Sequence, residues 1–353
     1  MTLLLPGRRV VRRGPASAAV RPRTLAVCLV AAVLTAVLAV LAVGRGTYQL
    51  SPGEVVEVLL GGGTRIQHQV VVNLRLPRVL AGIGVGVALG LAGALTQALA
   101  RNPLASPDLL GFTDGAAAGA VTLIVLGRPG GPLAGLATRG NVSLAALGGA
   151  LVAGLLIYLL AWRRGVDRFR LILVGVMVAE VLAGVVSWML VRADLTAANQ
   201  AVLWLSGSLQ GRGWDQVLPL AVALAVLLPL AAATSFGLDG LQFGPDTGRA
   251  LGLRLERAQL GAVLVAIGLV AAAVATAGPV GFVAFVVPQV ALRLCGGGRP
   301  PLAASALLGG LLVVAADLAG RLLPAELPVG IITAVLGAPY LLWLLLRLNR
   351  RVT

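Results

Sequence analysis

Long apolar runs, each cut short by a connection carrying arginine, most constrain how this chain can fold. They occupy Thr24 to Val43, the stretch from Arg78 to Ala100, and residues 108–127, 141–161, 170–191, 214–235, 258–277, 280–295, 302–320 and 329–347. About 20 helical residues cover ~30 Å, the hydrocarbon thickness of a bilayer. The runs therefore predict an all-α polytopic membrane protein with ten transmembrane helices, and an even number places both termini on one side. Hydrophobic residues make up 58% of the chain and mean hydropathy is +0.97, which excludes an ordinary soluble domain.

The net charge of +15 would suggest nucleic acid in a soluble protein. Here the basic residues sit in short connections, the pattern of topology determinants and of contact with anionic lipid, so no nucleic-acid partner is expected. All 28 basic residues are arginine. Without lysine the chain holds neither a P-loop nor a Schiff-base site, so any ATP and Mg that power it are used by another polypeptide. With the N-terminus inside, one side holds the six arginines of residues 1–23, then Arg101, Arg163, Arg164, Arg168, Arg170, Arg249, Arg254, Arg257, Arg293, Arg299, Arg347, Arg350 and Arg351. That is 19 inside against 9 outside, so both termini are expected in the cytosol. The organisation read from this is a basic cytosolic arm (1–23), a membrane domain (24–347) with a cytosolic loop at 237–260, and a cytosolic tail (348–353). The first apolar run is too long for a secretory signal core and is expected to remain as a membrane helix. Cys28 and Cys295 have no metal or disulfide spacing and are expected to pack in apolar surroundings. His68 is expected in a solvated loop.

The stretch from Arg75 to Gly111 is the most informative. Gly82, Gly86 and Gly90 recur every four residues and form a ridge against which another helix backbone can approach; Gly93 and Gln97 continue it. Such glycines serve helix packing or border a path, and Gln97 at membrane depth requires a partner or a wet cavity. Arg101-Asn102-Pro103 ends the helix. Ser106-Pro107-Asp108 reads as the start of the next, with Ser106 as N-cap.

Arg75-Leu-Pro-Arg78, Gln97, Arg101-Asn-Pro-Leu-Ala105, Pro107 and Gly111 resemble the signature of the FecCD-type permeases, the membrane subunits of ABC importers for ferric siderophores, haem and cobalamin. Later segments are similar too: Trp204 through Gly207-Ser208-Leu209, Ala250-Leu251-Gly252, Gly278-Pro-Val-Gly-Phe282, Asp317 with Arg321, Glu326-Leu-Pro-Val-Gly330 and Gly337-Ala-Pro339. The wording from Asn102 to Phe112, with Trp162-Arg163 and Phe169-Arg-Leu-Ile172, looks closest to the catecholate, ferric-enterobactin branch.

The resemblance implies a type II ABC importer permease in a bacterial cytoplasmic membrane. Its implied partners are a second permease subunit, two ATPase subunits that use ATP and Mg, an extracellular or periplasmic substrate-binding protein, and a ferric siderophore as cargo. Cobalamin or haem is the alternative cargo. The iron would be held by the siderophore, so neither metal ligands nor catalytic residues are expected in this chain. Asp246, Arg249, Leu251, Gly252 and Arg254 would seat on the ATPase; from pattern alone, Gly244–Asp246 and Leu253–Gln259 open two short polar helices that either float on headgroups or form a foot for a partner. Arg75, Arg78 and Arg321 would receive acids of the binding protein, or else anchor helix ends at the headgroups, with Glu326 pairing locally with Arg321. Asn102 and Pro103 fall with the glycine ridge in the packing or path group. Gln289 stands where the family usually has histidine after Pro288.

Asp114, Glu180, Asp317 and Gln289 form an embedded polar set. Buried charge is costly unless it faces protein or water, so structural pairing and proton coupling are the two readings. The second defines a rival of another class, a proton-coupled secondary transporter.

Overall fold

The computed structural model describes residues 9–13, 16–46, 48–161, 168–241, 255–297 and 299–349. A two-stranded antiparallel ribbon, β1 (Arg9–Arg13) with β2 (Ala16–Val20), stands in the arm expected to precede the membrane domain, and the described elements after it are helical, as the all-α reading expects. Among the described residues thirteen α-helices follow: α1 (Pro22–Gly44), α2 (Pro52–Leu59), α3 (Arg65–His68), α4 (Leu76–Ala100), α5 (Phe112–Leu126), α6 (Arg139–Ala161), α7 (Arg168–Arg192), α8 (Leu195–Leu205), α9 (Trp214–Leu241), α10 (Leu255–Ala277), α11 (Val283–Cys295), α12 (Leu302–Leu322) and α13 (Val329–Asn349). Among the described residues, seven helical stretches are long and apolar enough to cross a membrane, and α5, α11 and the 329–344 part of α13 are shorter apolar helices.

Helix α4 is the axis of the molecule. It packs on α1, α9, α10, α11 and α12, while α5 is held by α6 and α7. A π-helical segment (Gln69–Arg75) joins α3 to α4, so Arg65–Ala100 forms one continuous stretch. Pro77 brings no N–H to close that turn, and the backbone upstream opens into the wider i→i−5 form. His68 is consequently part of this helical stretch, in place of the expected loop.

Local chemistry sets several boundaries. Ser51 and Glu54 form a reciprocal capping box at α2, as Ser51-Pro-Gly-Glu54 suggests. The start expected at Ser106 differs: Ser106 Oγ accepts from Asp108 N–H at 3.3 Å, but only a 3₁₀ turn (Asp108–Leu110) forms. Gly111 then takes φ +75°, and α5 begins at Phe112. Helix α8, between α7 and α9, lies where no apolar run was read; Asp194 caps it by accepting from Ala197 N–H at 2.8 Å. Residues 237–241 continue α9, and residues 255–260 are the opening turns of α10, not a separate surface helix.

The glycine ridge does what its spacing suggests. A Cβ on Gly86 would collide with the Gly309 carbonyl of α12, one on Gly90 with the Ser305 carbonyl, and one on Gly93 with the Ala284 carbonyl of α11. Gly82 is less crowded, with Leu209 Cδ1 3.0 Å from the position of a Cβ. A second crossing repeats the device, with Gly115 and Gly119 of α5 against Gly149 and Ala145 of α6.

Candidate functional site

Three sets of polar contacts hold the bundle, two of them at the ends of α4. The first is at the end of the bundle where α1 stops. Arginines donate to the carbonyls that end α1 and to the connection beyond it: Arg75 to Val43 O (2.8 Å), to Gly44 O (3.3 Å), which Leu50 N–H also reaches at 3.1 Å, and to Tyr48 O (2.7 Å), and Arg321 to Ala42 O (3.1 Å). Asp317 sits beneath, 4% exposed, between Arg78 (2.8 Å) and Arg321, whose Nε donates at 2.9 Å. The cluster ties α1, α4 and α12 together. Arg75, Arg78 and Arg321 thus spend donors on their own chain, and Asp317 makes the interhelical bonds one of its two readings called for. Glu326 lies near Arg321, with no ion pair between them among the described residues.

A second junction joins motifs that are far apart in sequence. Gly330 N–H donates to Gly207 O at 3.1 Å and Ser208 N–H to Ala277 O at 2.7 Å. A Cβ on Gly207 would strike the Pro279 carbonyl, and one on Gly337 the Phe282 ring. Phe282 itself holds φ +66°, unusual for a bulky residue, at the N-terminus of α11. Helix α11 has 13 residues and is therefore only ~20 Å long, short of the ~30 Å of a bilayer core. Its irregular N-terminal junction is tolerated at that depth because these backbone groups bond one another and are enclosed by protein.

The third cluster lies at the opposite end of α4, and it is here that a cavity opens. Arg101 ends α4 at φ +48°, and Asn102 Oδ1 accepts from Leu104 N–H at 2.9 Å to fix the turn. A cavity of about 630 Å3 is lined by Gln97, Asn102, Pro103, Gln289 and the arginines 101, 293, 299 and 347. At its wall Gln289 donates to Gln97 Oε1 (2.6 Å), and Gln97 Nε2 donates to Phe285 O (3.0 Å); both side chains are buried. The Arg293 guanidinium lies 4.4 Å from the Trp343 ring and 5.4 Å from the Tyr340 ring, and Arg347 is 5.3 Å from Trp343. Arg23 donates to Arg293 O and Arg21 to Gly296 O, so the start of α1 and the end of α11 meet at this end of the bundle.

The packing or path group therefore divides: Gly82, Gly86, Gly90 and Gly93 face neighbouring helices, while Gln97, Asn102 and Pro103 border the cavity. Of the embedded acids, Asp114 is half-buried and Glu180 is exposed on the outward side of α7. Asp108, read from sequence only as a helix-start residue, accepts from Thr113 Oγ1 (2.7 Å) and Ser106 Oγ (3.2 Å) beside α5. Asp246, Arg249, Leu251, Gly252 and Arg254 lie outside the described residues. Cys28 and Cys295 pack in one apolar cluster.

The FecCD transport family model matches residues 32–347. The ferric enterobactin transport system permease protein FepG of Escherichia coli K12 is 41% identical, with 93% of this chain and 98% of that protein aligned. The achromobactin transport system permease protein CbrC of Dickeya dadantii is 38% identical, over 92% of this chain and 90% of that one. Among solved structures, a chain assigned to the metal-chelate type of ABC transporter in an inward-facing conformation superposes with a TM-score of 0.78 at 26% identity, covering 92% of this chain and 99% of the other. The glycine crossings, the Asp317 clasp and the cavity thus belong to a protein whose similarity to these transporters runs almost end to end, and the chain belongs to the FecCD transport family.

Proposed function

We propose that this chain is the transmembrane permease subunit of an ABC importer that moves a ferric siderophore across the bacterial cytoplasmic membrane. The observation that carries the proposal is the family match over residues 32–347 together with end-to-end similarity to siderophore permeases. The three shorter apolar helices complete ten crossings, two of them reaching less than the full bilayer thickness. Arginine placement puts both termini and the cavity end in the cytosol, and the Asp317 clasp outside.

The chain is a gate and not an enzyme. Separate ATPases, using ATP and Mg, would grip the loop containing Asp246, Arg249, Leu251, Gly252 and Arg254, and nucleotide would shift the gate by favouring one of its states. A second permease subunit is favoured by α7, whose outward side carries Glu180: a carboxylate directed at lipid is costly, whereas one directed at a partner or a watery path is not. Outside, a substrate-binding protein would dock over Arg75, Arg78 and Arg321. Because these arginines already bond within the chain, its acids would gain register and approach rate more than affinity.

The test is uptake of radiolabelled cargo into vesicles holding this chain with its cognate ATPase, permease partner and binding protein, over a panel of ferric siderophores and haem labelled with iron and of cobalamin labelled with cobalt. Uptake of a ferric siderophore that requires every component supports the proposal. Uptake of cobalamin or haem alone would replace the cargo, and uptake of none would overturn the importer.

A further inference from the structure

The arm ahead of α1 concentrates charge for which the importer reading has no use. Residues 1–23 hold Arg8, Arg9, Arg12, Arg13, Arg21 and Arg23, and the first acidic residue of the chain is Glu54. Within the arm lies the β1–β2 ribbon, where Arg9 stands opposite Val20, Val11 opposite Ala18 and Arg13 opposite Ala16. A lone two-stranded ribbon is marginal at best in water and needs a surface or a third strand to persist. Among the described residues the only extensive partner of each strand is the other, and each strand keeps one unpaired edge. The position of the ribbon says what can support it. Arg21 joins β2 to α1, and Arg21 and Arg23 are bonded to the Gly296 and Arg293 carbonyls at the end of α11. Leu25, in the first turn of α1, and Leu29, one turn further, are exposed, so the apolar surface that faces lipid begins within a turn of the ribbon. The ribbon is thus tethered where α1 enters the bilayer.

We propose that the β1–β2 ribbon is a docking surface for the headgroups of anionic phospholipids, and that this lipid surface is what keeps it folded. Arg21 and Arg23 already serve the end of α11, which leaves Arg9, Arg12 and Arg13 in the ribbon, with Arg8 next to it in sequence, for another partner. Beside an anionic bilayer each arginine gains roughly fivefold in binding, and a segment tethered to a membrane helix is already at high effective concentration there. Lipid phosphates also offer acceptors to the N–H groups of the open strand edges, which water serves without ordering the ribbon. An acidic face of a protein partner has complementary charge too, but nothing tethers it to the arm, whereas the bilayer is fixed beside Arg21 by α1. The inference needs only that α1 crosses a membrane, and it stands apart from the cargo and from the energy source.

The full chain is placed in nanodiscs of phosphatidylcholine alone and of phosphatidylcholine mixed with phosphatidylglycerol, and amide hydrogen exchange is followed over residues 9–20. Exchange is expected to be roughly tenfold or more slower in the mixed lipid, and to speed up again as salt is raised. The variant R8Q/R9Q/R12Q/R13Q is expected to exchange fast in both lipids, and R8K/R9K/R12K/R13K to keep most of the protection, since the attraction is to charge. Exchange over α4, measured in the same samples, shows that the bundle is intact in each variant. Equal exchange of the unaltered ribbon in the two lipids overturns the proposal, whether fast or slow. So does protection that the glutamine variant retains. Protection that appears only when the partner ATPase is added, irrespective of lipid, assigns the ribbon to a protein surface and overturns the lipid assignment.

Discussion

Gln289 donates its side-chain amide to Gln97 Oε1 across 2.6 Å, joining α11 to α4, and Gln97 passes the chain of bonds on to the Phe285 carbonyl. Position 289 thus holds a hydrogen-bonding side chain that does not titrate. The pair therefore contributes position, and no proton.

Removing one partner leaves the other buried and unsatisfied. Gln289→Leu is expected to destabilise the chain by about 1–3 kcal/mol, and Gln97→Leu in the same background to recover part of that, because an unmade buried bond costs more than a missing one. Thermal unfolding in detergent for the two single variants and the double measures the coupling; strictly additive losses would contradict it.

The Asp317 clasp is the stronger case. Asp317→Asn leaves Arg78 and Arg321 without their buried counter-charge, and losing one member of such a group costs roughly 3–5 kcal/mol. The expected outcome is a large fall in unfolding temperature, with faster hydrogen exchange where α1, α4 and α12 meet. A change close to zero would show the clasp to be incidental.

The two glycine crossings predict a position-dependent penalty. Gly86→Ala and Gly309→Ala drive a methyl group into a facing backbone and are expected to destabilise by about 1–3 kcal/mol. Gly140→Ala and Gly148→Ala meet nothing within 4 Å and are expected to be neutral or mildly stabilising. Unfolding midpoints of the four variants, compared side by side, check the contrast.

Much of this was legible in the sequence because periodicity encodes it. The spacing of Gly82, Gly86 and Gly90 named the packing side of α4, and Ser51 with Glu54 named the start of α2. What was not legible is contact between distant segments. Nothing in the sequence tells that Gly207, Pro279, Gly330 and Phe282 meet at one junction, or that Arg75 and Arg321 turn inward to the carbonyls ending α1. The start of α5 was misplaced because Ser106-Pro107-Asp108 has the chemistry of a helix cap, while the left-handed Gly111 that breaks the turn is decided by packing against α7. Helix α8 lacks a long apolar run and so gave no membrane signal.

Acidification should loosen the N-terminal cap of α2. The Ser51 backbone N–H and then its hydroxyl hold the Glu54 carboxyl below its ordinary range. A depressed folded value means that the cap's contribution is fully present above the ordinary glutamate range and is lost as pH falls through the folded value. Hydrogen exchange over Pro52–Leu59, corrected for its intrinsic pH dependence, should accelerate there, and Glu54→Gln should flatten the response.

The central claim is that this chain moves cargo with energy supplied by another polypeptide, since it has no lysine with which to build a P-loop. The most direct measurement follows iron accumulation in vesicles containing the whole importer, once with the proton gradient collapsed by an ionophore and once with a partner ATPase unable to hydrolyse ATP. The account predicts that uptake survives the first and stops in the second. Uptake that fails with the gradient and persists without hydrolysis would contradict it.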